Sequence, residues 1–112
     1  MLQGKMMLIE VDRLLFKDPS ISLQRLARHF GVDRHKIQYS IRESTGRLFS
    51  EYKKEKKIMR VREIVKGKKS VSVKEISTIL KFRSSKAFSR FVKNMTGTTY
   101  RNIRSDISAG QV

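Results

Sequence analysis

Residues 69–104 read KSVSVKEISTILKFRSSKAFSRFVKNMTGTTYRNIR. Ser72 is followed three residues later by Glu75, a capping box that opens a helix at Val73. Val73, Ile76, Ile79 and Leu80 recur at helical spacing and give that helix one apolar face. The pattern breaks over 81–83, and Ser84 caps a second helix that runs to about Met95. Two short helices joined by a few residues, the second crowded with cations, form a helix-turn-helix pattern. A pair of packed helices in a small bundle shares that outline, so the placement of charge decides between the two readings.

At about 100° per residue, with Phe88 set toward the core, Phe91, Val92 and Met95 fall within roughly 60° of it. Lys86, Arg90 and Lys93 fall on the opposite side, and Ser89 sits at their border. A helix buried on one face with Lys, Arg and Ser on the other suits a major groove. There Arg and Lys donate to the acceptor edge of guanine, and Ser serves either role.

The same unit occurs twice. Leu23, Leu26 and Val32 match Val73, Ile76 and Phe82 at an offset of fifty. After the turn the offset is fifty-one: Asp33 meets Ser84, Ile37 meets Phe88, Ile41 meets Val92, and Thr45-Gly46 meets Thr96-Gly97. Glycine there fits a left-handed helix terminus. The face opposite Ile37 carries His35, Tyr39 and Arg42, with Gln38 at the border. These correspond to Lys86, Arg90, Lys93 and Ser89.

Around these units the chain reads as helix throughout. A first helix spans 5–16, with Met7, Leu8, Val11, Leu14 and Leu15 inward, and Asp18-Pro19 stops it. Ser22 caps the next, where Leu23, Leu26, Ala27 and Phe30 face the core; His29 on it is read as structural. A longer helix covers 48–66 and ends near Gly67, its Lys-rich middle at 53–57 read as a solvated face or a phosphate contact. Its 19 residues span roughly 28 Å, close to the ~34 Å that separates successive major-groove windows. The expected organisation is therefore all-α: a helix-turn-helix subdomain over 5–46, a linker helix over 47–67, a second helix-turn-helix subdomain over 68–105 and a disordered tail over 106–112.

The 112 residues hold 26 Lys and Arg against 10 Asp and Glu, a net charge of +16 that points to a polyanionic partner. Without cysteine there is no disulfide framework, thiol nucleophile or cysteine-based zinc site. No paired acids, metal cluster or phosphate loop marks an enzyme, and no cofactor is implied. No apolar run reaches membrane-spanning length and no secretory pattern opens the chain, so a cytoplasmic, nucleoid-associated location without membrane contact is expected.

The chain resembles the DNA-binding domain of the AraC/XylS family of bacterial transcription regulators. The motifs that carry the resemblance are Leu26-Ala27, Phe30-Gly31, Gly46 and Tyr52, then Glu75-Ile76, Phe82, Ser84, Phe88-Ser89-Arg90, Lys93 and 96–99 (TGTT), within a stretch from about Met6 to Arg104. The family has two helix-turn-helix units, homeodomain-like tri-helical bundles, joined by a linker helix. The resemblance implies that helices 33–44 and 84–95 enter adjacent major grooves on one DNA face. Carried over by position, base contacts fall on His35, Gln38, Tyr39, Ser85, Lys86, Ser89 and Arg90. Arg90 and Lys86 are assigned to guanine, Gln38 to adenine or a mixed contact, and His35 to apolar or hydrogen-bonding contact. Arg34, Arg42, Arg83 and Lys93 are assigned to phosphates. Departures from the family pattern are Lys81 in place of a usual glycine, Ser77 in place of alanine, Tyr100 where proline is common, and Tyr39 where a basic residue is frequent.

The partners implied are double-stranded DNA, RNA polymerase, and an effector or receiver domain outside this chain. The competing function is a nonspecific basic nucleoid-associated or RNA-binding protein, which accounts for the charge but not for the duplicated, capped, one-sided helices. A cationic membrane-surface helix fits only the 53–57 segment. A DNA-repair alkyl acceptor, found in some relatives, requires the absent cysteine.

Overall fold

The computed structural model describes residues 4–68 and 70–110. Among them the secondary structure is all-helical: α1 (Gly4–Lys17), α2 (Leu23–Phe30), α3 (Arg34–Thr45), α4 (Phe49–Gly67), α5 (Val73–Ile79), α6 (Ser85–Thr96) and α7 (Tyr100–Ser108). The chain divides into two compact units, one through Lys56 and one from Lys57, so the boundary falls inside α4.

In the first unit α1 stops where Asp18 turns the chain. Its carboxylate accepts from the Ser20 amide (3.1 Å) and hydroxyl (2.8 Å), and the residue before Pro19 cannot continue the helix. Ser22 then caps α2 by accepting from the Arg25 amide at 3.1 Å. Val11, Leu26, Ile37 and Ile41 are almost completely buried, and Met7, Leu15, Phe49 and Tyr52 close the core around them. Leu8 and Leu14, at the edge of the α1 stripe, are only partly covered. The Tyr52 hydroxyl donates to the Asp12 carboxylate. Burial, and then that bond, push the phenol upward from its ordinary value.

His29 lies at the surface, its Nε2 2.8 Å from Glu10 and its ring edge-on to Phe30. Its structural role is that of a surface latch between α2 and α1. Arg13 holds the same carboxylate through two contacts of 2.7 Å.

In the second unit the core is Val61 and Val65 from α4, Val71 before α5, Ile76, Ser77 and Leu80, then Phe88, Val92, Tyr100, Ile103 and Ile107. The capping box at Ser72 and Glu75 is present in both directions, at 3.0 and 3.1 Å. Ile79, expected on the inner face of α5, is 49% exposed, and the small side chain of Ser77 is turned inward in its stead. The reason is angular. Ile76, Ser77 and Leu80 centre the buried arc, and Ile79 lies about 110° from that centre. Phe82, Phe88, Phe91 and Tyr100 form a chain of ring contacts 5.1–5.4 Å apart.

The disordered tail expected over 106–112 is corrected at its start. Thr99 caps α7, which continues to Ser108, because Tyr100, Ile103 and Ile107 repeat along one face and all three are buried. Gln111 and Val112 lie outside the described residues. Two donors meet on the Val71 carbonyl: the Tyr100 hydroxyl at 2.8 Å and the Arg104 guanidinium at 3.1 Å. The tyrosine that departs from the family pattern thus ties α7 to the segment before α5.

The 53–57 segment is only partly a solvated face. Lys53 lies over the Phe49 ring (5.7 Å) and Lys56 over Tyr52 (5.2 Å), while Lys57 lies over Phe82 and Phe91 (4.9 and 5.8 Å). Their aliphatic stems cover the rims of the cores and their ammonium groups face aromatic rings, which is how long cations sit beside buried aromatics.

Candidate nucleic-acid interface

Each unit holds its helix with the exposed polar face, α3 or α6, through the same local devices. Asp33 opens α3 by accepting from the His35 amide at 2.9 Å, and Ser84 opens α6 by accepting from the Ala87 amide at 3.0 Å. The turn before each helix is closed by equivalent backbone bonds. Val32 N–H donates to Ala27 O at 3.0 Å, and Phe82 N–H donates to Ser77 O at 2.9 Å. Both turns also pass through a left-handed residue, Gly31 at φ +66° in one and Lys81 at φ +60° in the other. Lys81 therefore takes the conformation of the glycine it replaces, and the turn keeps its shape. Gly46 and Gly97, at φ +73° and +76°, end the two helices by donating to Arg42 O and Lys93 O, each at 2.8 Å.

Ile37 and Ile41 anchor α3 from beneath, and Phe88 and Val92 anchor α6. Burial on one side fixes what the other side presents. On α3, Arg34, His35, Tyr39 and Arg42 are exposed, and Gln38 is half-buried at the border. On α6, Lys86, Ser89, Arg90 and Lys93 are exposed, with Arg83 in the turn just before. Ser85 stands apart from this set. It is half-buried, with its hydroxyl 3.4 Å from that of Ser77, and so faces the packing of α5 against α6.

The two faces differ in chemistry. Lys86, Arg90 and Lys93 make α6 a surface of hydrogen-bond donors with no carboxylate among them. On α3 the Tyr39 hydroxyl donates to Glu43 Oε1 at 3.1 Å, and that bond pushes the phenol upward from its ordinary value. The repeat does not single out Glu43, which corresponds to Asn94. The signal available for it is its place one helical turn beyond Tyr39, the spacing at which side chains meet.

Among the described residues no group of three or more His, Cys, Asp or Glu is placed to hold a metal ion, and no helix is long and apolar enough to cross a membrane. What these surfaces can do chemically is bind a polyanion and donate to base edges.

A family model described as "Helix-turn-helix domain" matches residues 26–106. Two solved structures are similar to the chain in fold. One is the C-terminal domain of the two-component response regulator yesN from Fusobacterium nucleatum subsp. nucleatum ATCC 25586, 15% identical over 90% of this chain and 97% of that one, with a TM-score of 0.76. The other is a transcriptional regulator from Chromobacterium violaceum described among AraC-type DNA-binding domain-containing proteins, 24% identical over 89% of this chain and 90% of that one, with a TM-score of 0.75. The chain belongs to the AraC-type helix-turn-helix family. The AraC-type domain is the DNA-binding domain of a transcription regulator, and its all-helical architecture of two helix-turn-helix units is the one found in this chain. A comparison with curated protein sequences gives no match.

Proposed function

We propose that this AraC-type domain binds double-stranded DNA sequence-specifically, with α3 and α6 each laid in a major groove of the same duplex. The observation that supports this reading most is the pairing of rigidity with exposure. Each helix is fixed by a side-chain N-cap, a glycine C-cap and two large buried residues, and its polar face is left bare. A helix held in this way loses little conformational freedom on binding, and so can discriminate between base edges.

In this reading Arg90 and Lys86 donate to guanine and Ser89 reads a position beside them, while Gln38, His35 and Tyr39 read the groove that α3 enters. Arg34, Arg42, Arg83 and Lys93 hold phosphates and set the register. Ser85 has a positioning role through Ser77. With about six phosphates neutralised, log affinity falls with log salt at a slope near −5. An effector or receiver domain belongs elsewhere in a longer regulator that acts in the cytoplasm, and RNA polymerase is the expected protein partner. The domain's own task is binding rather than catalysis.

The net charge of +16 favours a second reading, a nonspecific nucleoid or RNA coat. Sequencing duplexes enriched from a random pool by the purified chain separates the two. A recurrent motif supports the specific regulator. A pool that stays random, with unrelated duplex competing equally in gel shifts, refutes it.

A further inference from the structure

The internal repeat pairs His35 with Lys86, Tyr39 with Arg90, Arg42 with Lys93, and Glu43 with Asn94. At three of these four places α6 carries a side chain that only donates. Such a surface selects the acceptor edge of guanine. On α3 two adjacent places carry Tyr39 and Glu43 instead. Tyr39 is 67% exposed and donates its hydroxyl proton to Glu43 Oε1 at 3.1 Å. With that proton committed, the phenol oxygen offers lone pairs outward, and the second carboxylate oxygen remains an acceptor. This part of α3 is an acceptor pair.

Base edges in the major groove that donate are few: the N4 amino group of cytosine and the N6 amino group of adenine. A carboxylate beside phosphates is repelled, and an amino group at the floor of the groove offsets that repulsion. Resting on the DNA-binding reading above, we propose that Tyr39 and Glu43 act together as a specificity-determining pair that reads an amino-bearing base under α3. The two units then divide the work. The donor surface of α6 seeks guanine and supplies most of the salt-dependent attraction, while the acceptor pair on α3 seeks cytosine or adenine.

The test uses the full chain and its own selected site. Each cytosine and adenine in the half-site under α3 is replaced in turn by 2-pyrimidinone or purine nucleoside, which lack the exocyclic amino group. Binding is measured for the natural chain, Glu43→Ala and Tyr39→Phe. At one position the replacement should weaken the natural chain by roughly five- to tenfold, and Glu43→Ala by less than about twofold. Tyr39→Phe, which frees the carboxylate from its partner, should fall between them.

Equal losses in the natural chain and Glu43→Ala at every position would overturn the pair. So would a Glu43→Ala protein that binds all duplexes more tightly by one common factor, since Glu43 then only repels phosphates. If the natural chain enriches no sequence at all, the DNA-reading proposal itself fails and the pair's role falls with it. A clear motif whose amino groups are irrelevant to Glu43 sinks only the pair.

Discussion

Lys81 and Gly31 occupy the same left-handed turn in two copies of one unit, so the chain contains its own control experiment. A residue with a Cβ in that conformation costs about 1–2 kcal/mol. Replacing it with glycine also loosens the unfolded chain, at a cost of about 0.4–1 kcal/mol. The backbone balance alone favours Lys81→Gly by about 0.5–1 kcal/mol, and interactions of the lysine side chain reduce that gain, so the second unit should be stabilised by up to that amount. The converse change is cleaner still. A Cβ placed on Gly31 meets no atom within 4 Å, so Gly31→Ala is opposed by the backbone alone. It should destabilise the first unit by about 0.5–1 kcal/mol, the same balance with its sign reversed. For units of this size such changes move the midpoint of thermal unfolding by about 3–6 °C. Circular dichroism follows the midpoint. Amide exchange at Ile76 and Phe88, and at Leu26 and Ile37, assigns each change to its unit. Lys81→Asn serves as an intermediate, because asparagine tolerates the left-handed region better than lysine. If Lys81→Gly proves no more stable than the natural chain, interactions of the lysine side chain outweigh the backbone strain. The reasoning is then refuted at that turn.

Arg90→Ala should weaken binding to the selected site by about 1–3 kcal/mol and relax preference at one base pair, whereas Lys93→Ala should lower the salt slope by about 1 with preference intact; repeated selections with each variant check both. Tyr100→Phe removes one of two donors to the Val71 carbonyl and should cost about 1 kcal/mol, read by urea unfolding, because Arg104 still satisfies that oxygen. The hydrogen bond from Arg13, then that from His29, hold the Glu10 carboxyl down at about 2 from an ordinary value of 4.5. The unfolded chain takes up this proton first. Stability contributed by Glu10 is thus complete above pH 4.5 and is lost as the pH falls toward about 2. Melting temperatures measured across that window should show a shallower acid decline in Glu10→Gln than in the natural chain.

The parts of this fold that were legible in advance are those set by neighbours in sequence. Ser22, Asp33, Ser72 and Ser84 all cap the helices they precede, and Gly31, Gly46 and Gly97 all take positive φ. The fifty-residue repeat made these signals reinforce one another. What escaped depends on contacts between distant residues, or on residue types that give no warning. The Glu10–His29 latch joins side chains nineteen positions apart, and no local pattern announces it. Lysine carries no turn signal, so the left-handed state of Lys81 follows only from its place in the repeat. Tyr100, Ile103 and Ile107 share an apolar spacing, but the polar residues 104–106 make the last turn of α7 read as a loose end. On the polar faces of α3 and α6 exposure follows from angle alone, whereas Ser85, placed with them by resemblance, lies near the buried arc. Glu43 carries no such signal, because cations define a polyanion-binding surface.

The Val71 carbonyl, held by Tyr100 and Arg104, has a bearing on the order of events at the ribosome. Domains complete in turn as the chain emerges, the leading portion first. The first unit has every core residue in hand once Tyr52 is out. The second must wait for Ile107, so Phe82, Phe88 and Phe91 emerge before Tyr100, whose ring packs on Phe88, and before the rest of α7. During that interval the nascent chain offers an apolar face to chaperones, and α7 completes its cover.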